Sequence, residues 1–186
     1  MPLDEENFCN NLYGEIQSEG CCGLYVGISH RALEKRLPSL PKDASILEIG
    51  GNLGEHCKYV THSYQKYIVS DYRKIDDRFV NPKIFFEQEN AETLSYQDDL
   101  FDRVLMGCVL HHVDFPEKAL RQIRRVVKGG GLVSITLPCD PGLLYRFGKK
   151  IGPYRAHKKN FPEHHPEYFH YQQHRNHYPG LRSLVQ

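Results

Sequence analysis

The sequence predicts an α/β fold built on a parallel sheet, and three observations carry that expectation. Five short apolar runs, at 45–49, 67–70, 83–87, 102–108 and 132–137, read as strands. Helical segments or short connections alternate with them, which implies parallel neighbours joined by right-handed crossovers. The first run, Ile46-Leu47-Glu48-Ile49, breaks on Gly50-Gly51 before a helical pattern resumes at Gly54. At 186 residues the chain suits one domain with one core.

Taken in order, residues 1–43 form a helical preface. Segment 5–18 has weak helical character, Gly20-Cys21-Cys22-Gly23 breaks it, and 29–37 is a short helix closed by Pro38 and Pro41. Residues 44–138 are the α/β core, with a helix over 54–63 after strand one and a short connection over 73–78 after strand two. The helix over 116–127 is the best specified. Asp114 offers a cap, Pro116 suits the first turn, and Ala119, Leu120, Ile123 and Val127 make the buried stripe. Arg124, Arg125 and Lys128 favour its C-terminus, and Gly129-Gly130-Gly131 ends it and starts strand five. Residues 139–186 are a third, basic segment. It holds an expected helix over 141–152, a polar, aromatic, histidine-rich stretch over 154–177, and a further helix from Gly180.

Composition narrows the class. No run approaches the ~20 apolar residues of a membrane span. The acidic start, Met1-Pro2-Leu3-Asp4-Glu5-Glu6, lacks the basic and apolar regions of a secretory signal, so a cytoplasmic protein is expected. The six cysteines include no C-x-x-C pair and read as reduced thiols rather than a disulfide framework or a zinc site. Formal net charge is +1, but from Pro141 onward eight Lys/Arg face two acids, and six of the eleven histidines fall there. That excess suits an acceptor carrying phosphate or carboxylate, or an acidic partner, and is weak support for nucleic acid.

The glycine break is the chemical centre. A strand stopping on glycines and restarting as a helix gathers backbone N–H groups around one concavity, where a Cβ would obstruct a ligand. Asp71 ends the next strand and can accept hydrogen bonds from both hydroxyls of a ribose. A dinucleotide fingerprint in register with Gly50 needs glycines at 52 and 55, where this chain has Asn52 and Glu55. The Glu55 carboxylate would oppose a pyrophosphate at a helix N-terminus, which disfavours NAD. A phosphate-free ligand, such as S-adenosylmethionine, tolerates it.

The E-x-G-x-x-x-G pattern of Glu48, Gly50 and Gly54 resembles motif I of the class I S-adenosylmethionine-dependent methyltransferases, with Asn52 where glycine is usual. Phe101-Asp102-Arg103-Val104, then Leu110-His111-His112, then Leu120 through Gly131 resemble that family's ubiquinone-biosynthesis-like, small-molecule branch. There Gly129 replaces a usual proline. The resemblance covers about 45–138. It implies a Rossmann-like sheet in the order 3-2-1-4-5, which normally ends in an antiparallel hairpin; no two apolar runs after Pro138 supply one. Two expectations follow: the sequence is a truncated form, or strand five is an exposed edge unless an oligomer or partner covers it.

The resemblance also implies roles. Glu48, Gly50, Gly51, Asn52 and Gly54 would serve the methionine side, and Asp71, with Tyr72 beside it, the ribose. Asn90 and Ala91 would serve the adenine, and Cys108 and Leu110 would lie beside the methionine part. The preface often folds over the cofactor, so Tyr25 or His30 would either cap it or simply pack. His111 or His112 could serve as a general base, or could orient the loop. His170, His174 and His177 would share a helical face near His164-His165, but a solvated substrate-side lid is preferred there and no metal is expected. The absence of N/D-P-P-Y after strand four argues against a nucleic-acid adenine methyltransferase. The expected activity is methyl transfer to a small molecule. Its rivals are a non-catalytic cofactor-binding module working through a partner and, third, an NAD-dependent dehydrogenase.

Overall fold

In this computed structural model the structure describes residues 20–35, 37–74, 81–138, 158 and 174–185. Helix α1 spans Gly20–Leu33, and β1 spans Ser45–Ile49. A single 3-10 turn, Cys57–Tyr59, leads to β2, Lys66–Asp71, and β3, Ile84–Gln88. Strand β4 is Phe101–Gly107, α2 is Pro116–Val126, β5 is Val127–Thr136 and α3 is Tyr178–Val185. The five strands form one parallel sheet in the order β3-β2-β1-β4-β5, as expected. Among the described residues no strand lies outside β5, and no helix is long and apolar enough to cross a membrane. The expected helices over 5–18 and 141–152 and most of the histidine-rich stretch lie outside the described residues.

Period-two alternation sorts the central strands between two cores. Leu47, Ile49 and Ile68 face a cluster that includes Val104, Met106, the α2 stripe Ala119, Ile123 and Val126, and Leu181 of α3. Ile46, Tyr67, Val69 and Leu105 face the other way, over Cys57 and Val60. The central strands β1, β2 and β4 are buried almost throughout, so the sheet's two faces are both covered there.

Several local expectations need correction. The glycine-cysteine break at 20–23 is the first turn of α1, which ends at Leu33 rather than 37. It ends there because Glu34, the next residue, turns inward: its Oε1 accepts from Arg103 at 2.8 Å and from His56 at 2.9 Å. No α-helix forms over 54–63. His56 is fully buried against Glu34, and Thr61 N–H reaches the same carboxylate at 3.3 Å, so tertiary bonds hold the segment as turns. Asp114 does not cap α2. The N-cap is Phe115, without a side-chain cap bond; Glu92 Oε1 instead accepts from the N–H groups of Asp114 and Phe115, just ahead of the helix, at 2.9 and 3.0 Å, while Asp114 pairs with Arg175.

The three glycines do not end α2 either. Val127 is already extended and paired with Phe101, and the next matched pair is Arg103 with Leu132. Three extra residues of β5 therefore bulge out, with Gly130 at φ +77°. A Cβ on Gly131 would stand 2.9 Å from the Lys128 carbonyl oxygen and 3.0 Å from that of Asp102.

Candidate functional site

Gly50 has φ +68°, Asn52 φ +47° and Gly54 φ +75°, a run that only glycine, or asparagine in single steps, adopts cheaply. Gly50 also has no room for a side chain, since a Cβ would meet Val109 Cγ2 at 2.3 Å. The loop after β1 thus lies directly against the loop after β4. Cys108, which opens the latter, is itself at φ +54°, and its N–H is held by the Thr136 carbonyl at 3.1 Å. Backbone strain of this kind, in two touching loops at the carboxyl ends of adjacent strands, gathers where ligands bind.

The loop's donors are not aimed outward. Gly50 and Gly51 N–H both donate to the Ser70 carbonyl, at 2.7 and 3.0 Å, and Gly54 N–H donates to Gly51. Asn52 N–H donates to Asp71 Oδ2 at 3.2 Å. With these N–H groups engaged and only a 3-10 turn following, the expected gathering of N–H groups at a helix N-terminus does not form here. What the loop presents is carboxylate: Asp71 on one side, and Glu55, which accepts from Asn52 Nδ2 at 2.8 Å, on the other. Carboxylate acceptors there disfavour a pyrophosphate and suit a cationic, phosphate-free ligand.

Asp71 is 7% exposed, and its carboxylate is turned toward the loop. Arg73 shares it, through Nε at 3.1 Å, and also reaches the Asn52 side-chain oxygen at 2.9 Å. Glu48 lies beneath the loop, so close that a Cβ on Gly51 would stand 2.8 Å from its Cδ. Burial pushes the Glu48 carboxyl up to about 8, and Tyr67 donates to it at 2.8 Å. Burial raises the Tyr67 hydroxyl well above its usual value, with Glu48 adding to the effect.

The remaining candidates are dispersed along the same sheet ends. Asn90 is exposed, and its side-chain oxygen accepts the Glu92 N–H at 2.8 Å; Ala91 and Leu110 are buried in the main core. Tyr72 is 73% exposed, which leaves its side chain no enclosing contact. His30 packs on Tyr59, rings stacked at 5.0 Å, and meets His56 Nδ1 at 3.0 Å; burial, then His56, lowers it to about 4. The Tyr25 side chain lies outside the described residues.

His111 is buried, His112 is half-buried, and their rings lie 3.9 Å apart. A third ring joins them that the sequence assigned elsewhere: His174 lies 4.2 Å from His111. It does not share a helical face with His177, because α3 begins only at Tyr178. Nothing in the local pattern at 174 points to His111, so only the tertiary fold reveals the trio.

A family model described as a methyltransferase domain matches residues 20–186. The chain belongs to that family. Its five-stranded sheet has the fold of the class I S-adenosylmethionine-dependent methyltransferases, and membership of the family implies S-adenosylmethionine as the cofactor. Over 84 residues it is 33% identical to the ubiquinone/menaquinone biosynthesis C-methyltransferase UbiE of Yersinia pestis, covering 45% of this chain and 33% of that protein. The match thus spans about a third of the relative's length. Among solved structures it resembles an S-adenosylmethionine-dependent methyltransferase of Mesorhizobium loti, with TM-score 0.51 and 18% identity over 68% of this chain and 55% of that one. It also resembles a Haloferax volcanii structure, a complex of the Trm112 methyltransferase activator with a protein classed as a methyltransferase. There the TM-score is 0.55 and identity 15%, over 76% of this chain and 70% of the other. These likenesses support the fold of the methyltransferase, not its acceptor.

Proposed function

We propose that this chain transfers a methyl group from S-adenosylmethionine to a small-molecule acceptor by in-line displacement. The observation that carries the reading is the buried Asp71 carboxylate, turned onto the glycine loop at the end of β2. The cofactor brings a methyl group already activated on a sulfonium, so the chain has only to align the reactants and exclude water, an effect of ~7–11 kcal/mol at best. Asp71 holds the ribose hydroxyls, with Arg73 sharing or releasing it. Glu48, Gly50, Gly51, Asn52 and Gly54 shape the methionine side, Asn90 and Ala91 the adenine side, and Cys108 and Leu110 border the reacting end. Tyr72, exposed as it is, contributes only through its backbone. His111 or His112 takes a proton where the acceptor has one to lose.

Calorimetry with S-adenosylmethionine and its demethylated product tests the cofactor half. Asp71→Asn removes charge-assisted hydrogen bonds of about 1.5–3 kcal/mol, so affinity should fall about 10- to 100-fold. A folded chain that ignores the cofactor at millimolar concentration would overturn the reading. A tritiated-methyl assay over a metabolite panel, weighted toward phosphorylated and carboxylated acceptors, tests the acceptor half.

A second reading has one observation of its own. Strand β5 is outermost among the described residues, and its Val133 is 40% exposed. A chain that binds the cofactor but turns over only once a partner or second copy covers that edge would show calorimetric binding without labelled product.

A further inference from the structure

Two chain segments far apart in sequence bring three imidazoles together at the carboxyl end of β4. His111 and His112 leave that strand in a tight turn, closed by His112 N–H on the Val109 carbonyl at 2.8 Å. His174 arrives from the segment before α3. Its ring centroid is 4.2 Å from His111 and 5.2 Å from His112, and one ligand-capable nitrogen of each residue lies within 4.8 Å of the other two.

The approach is fixed by contacts that do not involve the rings. Asn176 N–H donates to the His111 carbonyl at 3.1 Å, and its side-chain amide donates to the Val113 carbonyl at 2.7 Å. Arg175, next to His174 in the chain, pairs with Asp114, which offsets its charge. Leu181 of α3, 2% exposed, anchors the segment in the main core. Backbone and ion-pair clamps thus hold the two segments, and the histidines they carry, side by side.

We propose that His111, His112 and His174 bind one divalent transition-metal ion of the zinc type, with a fourth position left for water or an acceptor oxygen. Among the described residues the group is three imidazole nitrogens and no carboxylate, a set that suits zinc, cobalt, nickel or copper and is poor for magnesium or calcium. Tetrahedral zinc holds its nitrogens about 2.0–2.1 Å away and so ~3.3 Å apart, a closure that side-chain rotation from the present spacing supplies. With the ion bound, its charge would acidify an acceptor hydroxyl whose proton passes to solvent, and this replaces the base role given above to His111 or His112, whose nitrogens are then committed as ligands. The proposal deepens the methyl-transfer reading at the acceptor end but does not depend on cofactor binding, so calorimetry with S-adenosylmethionine fails or succeeds separately.

The test uses the full chain, stripped of metal with chelator and titrated with cobalt(II), then competed with zinc(II). One ion per chain, visible bands of tetrahedral intensity, and displacement by zinc at micromolar concentration are expected. His112→Asn and His174→Asn should each weaken binding at least ~10-fold, whereas His177→Asn should not. Far-UV circular dichroism on each variant separates a lost ligand from a lost fold. Proton NMR of the wild-type cobalt complex needs no variant: paramagnetically shifted ring N–H signals from three histidines are expected. No saturable binding below about 100 µM, or fewer than three such histidines, overturns the proposal. So does cobalt binding that survives His174→Asn.

Discussion

Glu34 and Glu48 are both buried, and Arg103 acts on both, yet they are driven in opposite directions. Around Glu34, burial alone would raise the carboxyl, but hydrogen bonds from His56 and Arg103 hold it down at about 2. Under the glycine loop, burial dominates, one hydroxyl donates, and Glu48 rises to about 8. Donor supply, not depth, decides which carboxylate keeps its charge. The first region uses its charge to close α1 against the sheet. The second places an uncharged acid beneath the proposed cofactor loop, where it supports the turn without adding a further negative charge.

The largest test of that contrast is Arg103→Leu. It leaves the Glu34 carboxylate with His56 and the Thr61 N–H but no guanidinium, and should cost ~3–5 kcal/mol in urea denaturation. Gly51→Ala probes the other region. Its new methyl would stand 2.6 Å from Val69 Cγ1 and 2.8 Å from Glu48 Cδ, so a loss of about 1–3 kcal/mol and weaker S-adenosylmethionine binding are expected. Gly129→Ala, with nothing within 4 Å of its Cβ, should change stability by less than ~0.5 kcal/mol.

The pH profile of stability sharpens the comparison further. Glu34 has a folded value below its unfolded one, so its contribution is present above pH 4.5 and is lost as pH falls toward 2. Glu48 has the reverse order, so its contribution is present below pH 4.5 and is lost as pH rises toward 8. His30, lowered from 6.5 to about 4, loses stability on the acid side, as Glu34 does. Denaturation series should therefore show Glu34→Gln flattening the acid limb and Glu48→Gln flattening the limb between about pH 4.5 and 8. The smallest effect falls on Cys57, whose thiol burial and Glu48 push up to about 12. Peptide mapping after alkylation at mildly alkaline pH should find it far less modified in the folded chain than in urea.

The central strands were legible because apolar runs bounded by glycine or acid have few other ways to be buried. Gly50, Gly54 and Asp71 were legible because a strand-loop-acid pattern is local. The order 3-2-1-4-5 came with the family resemblance rather than from spacing. What the sequence hid was decided at a distance. The segment after Gly54 reads as helix until His56 meets Glu34, 22 residues earlier. Glu92, 22 residues before Asp114, holds the turn that leads into α2, so Asp114 is not left to cap it. The triple glycine looks like a helix stop because a bulge in a parallel pair leaves no periodic mark. Among the described residues His174 is brought to His111 by Asn176, Arg175 and Leu181, none of which carries a motif.

One further carboxylate sits at the opposite end of the sheet. Asp102 Oδ2 accepts the Ser45 N–H at 2.8 Å, and both its oxygens meet Lys128 Nζ at 2.9 Å. A single side chain thereby moors the beginnings of β1, β4 and β5, three neighbours whose far ends carry Gly50, Asn52, Cys108 and Thr136. Rearrangement of those far ends around a guest can then proceed like the fingers of a hand moving above a fixed wrist, with strand alignment preserved from below.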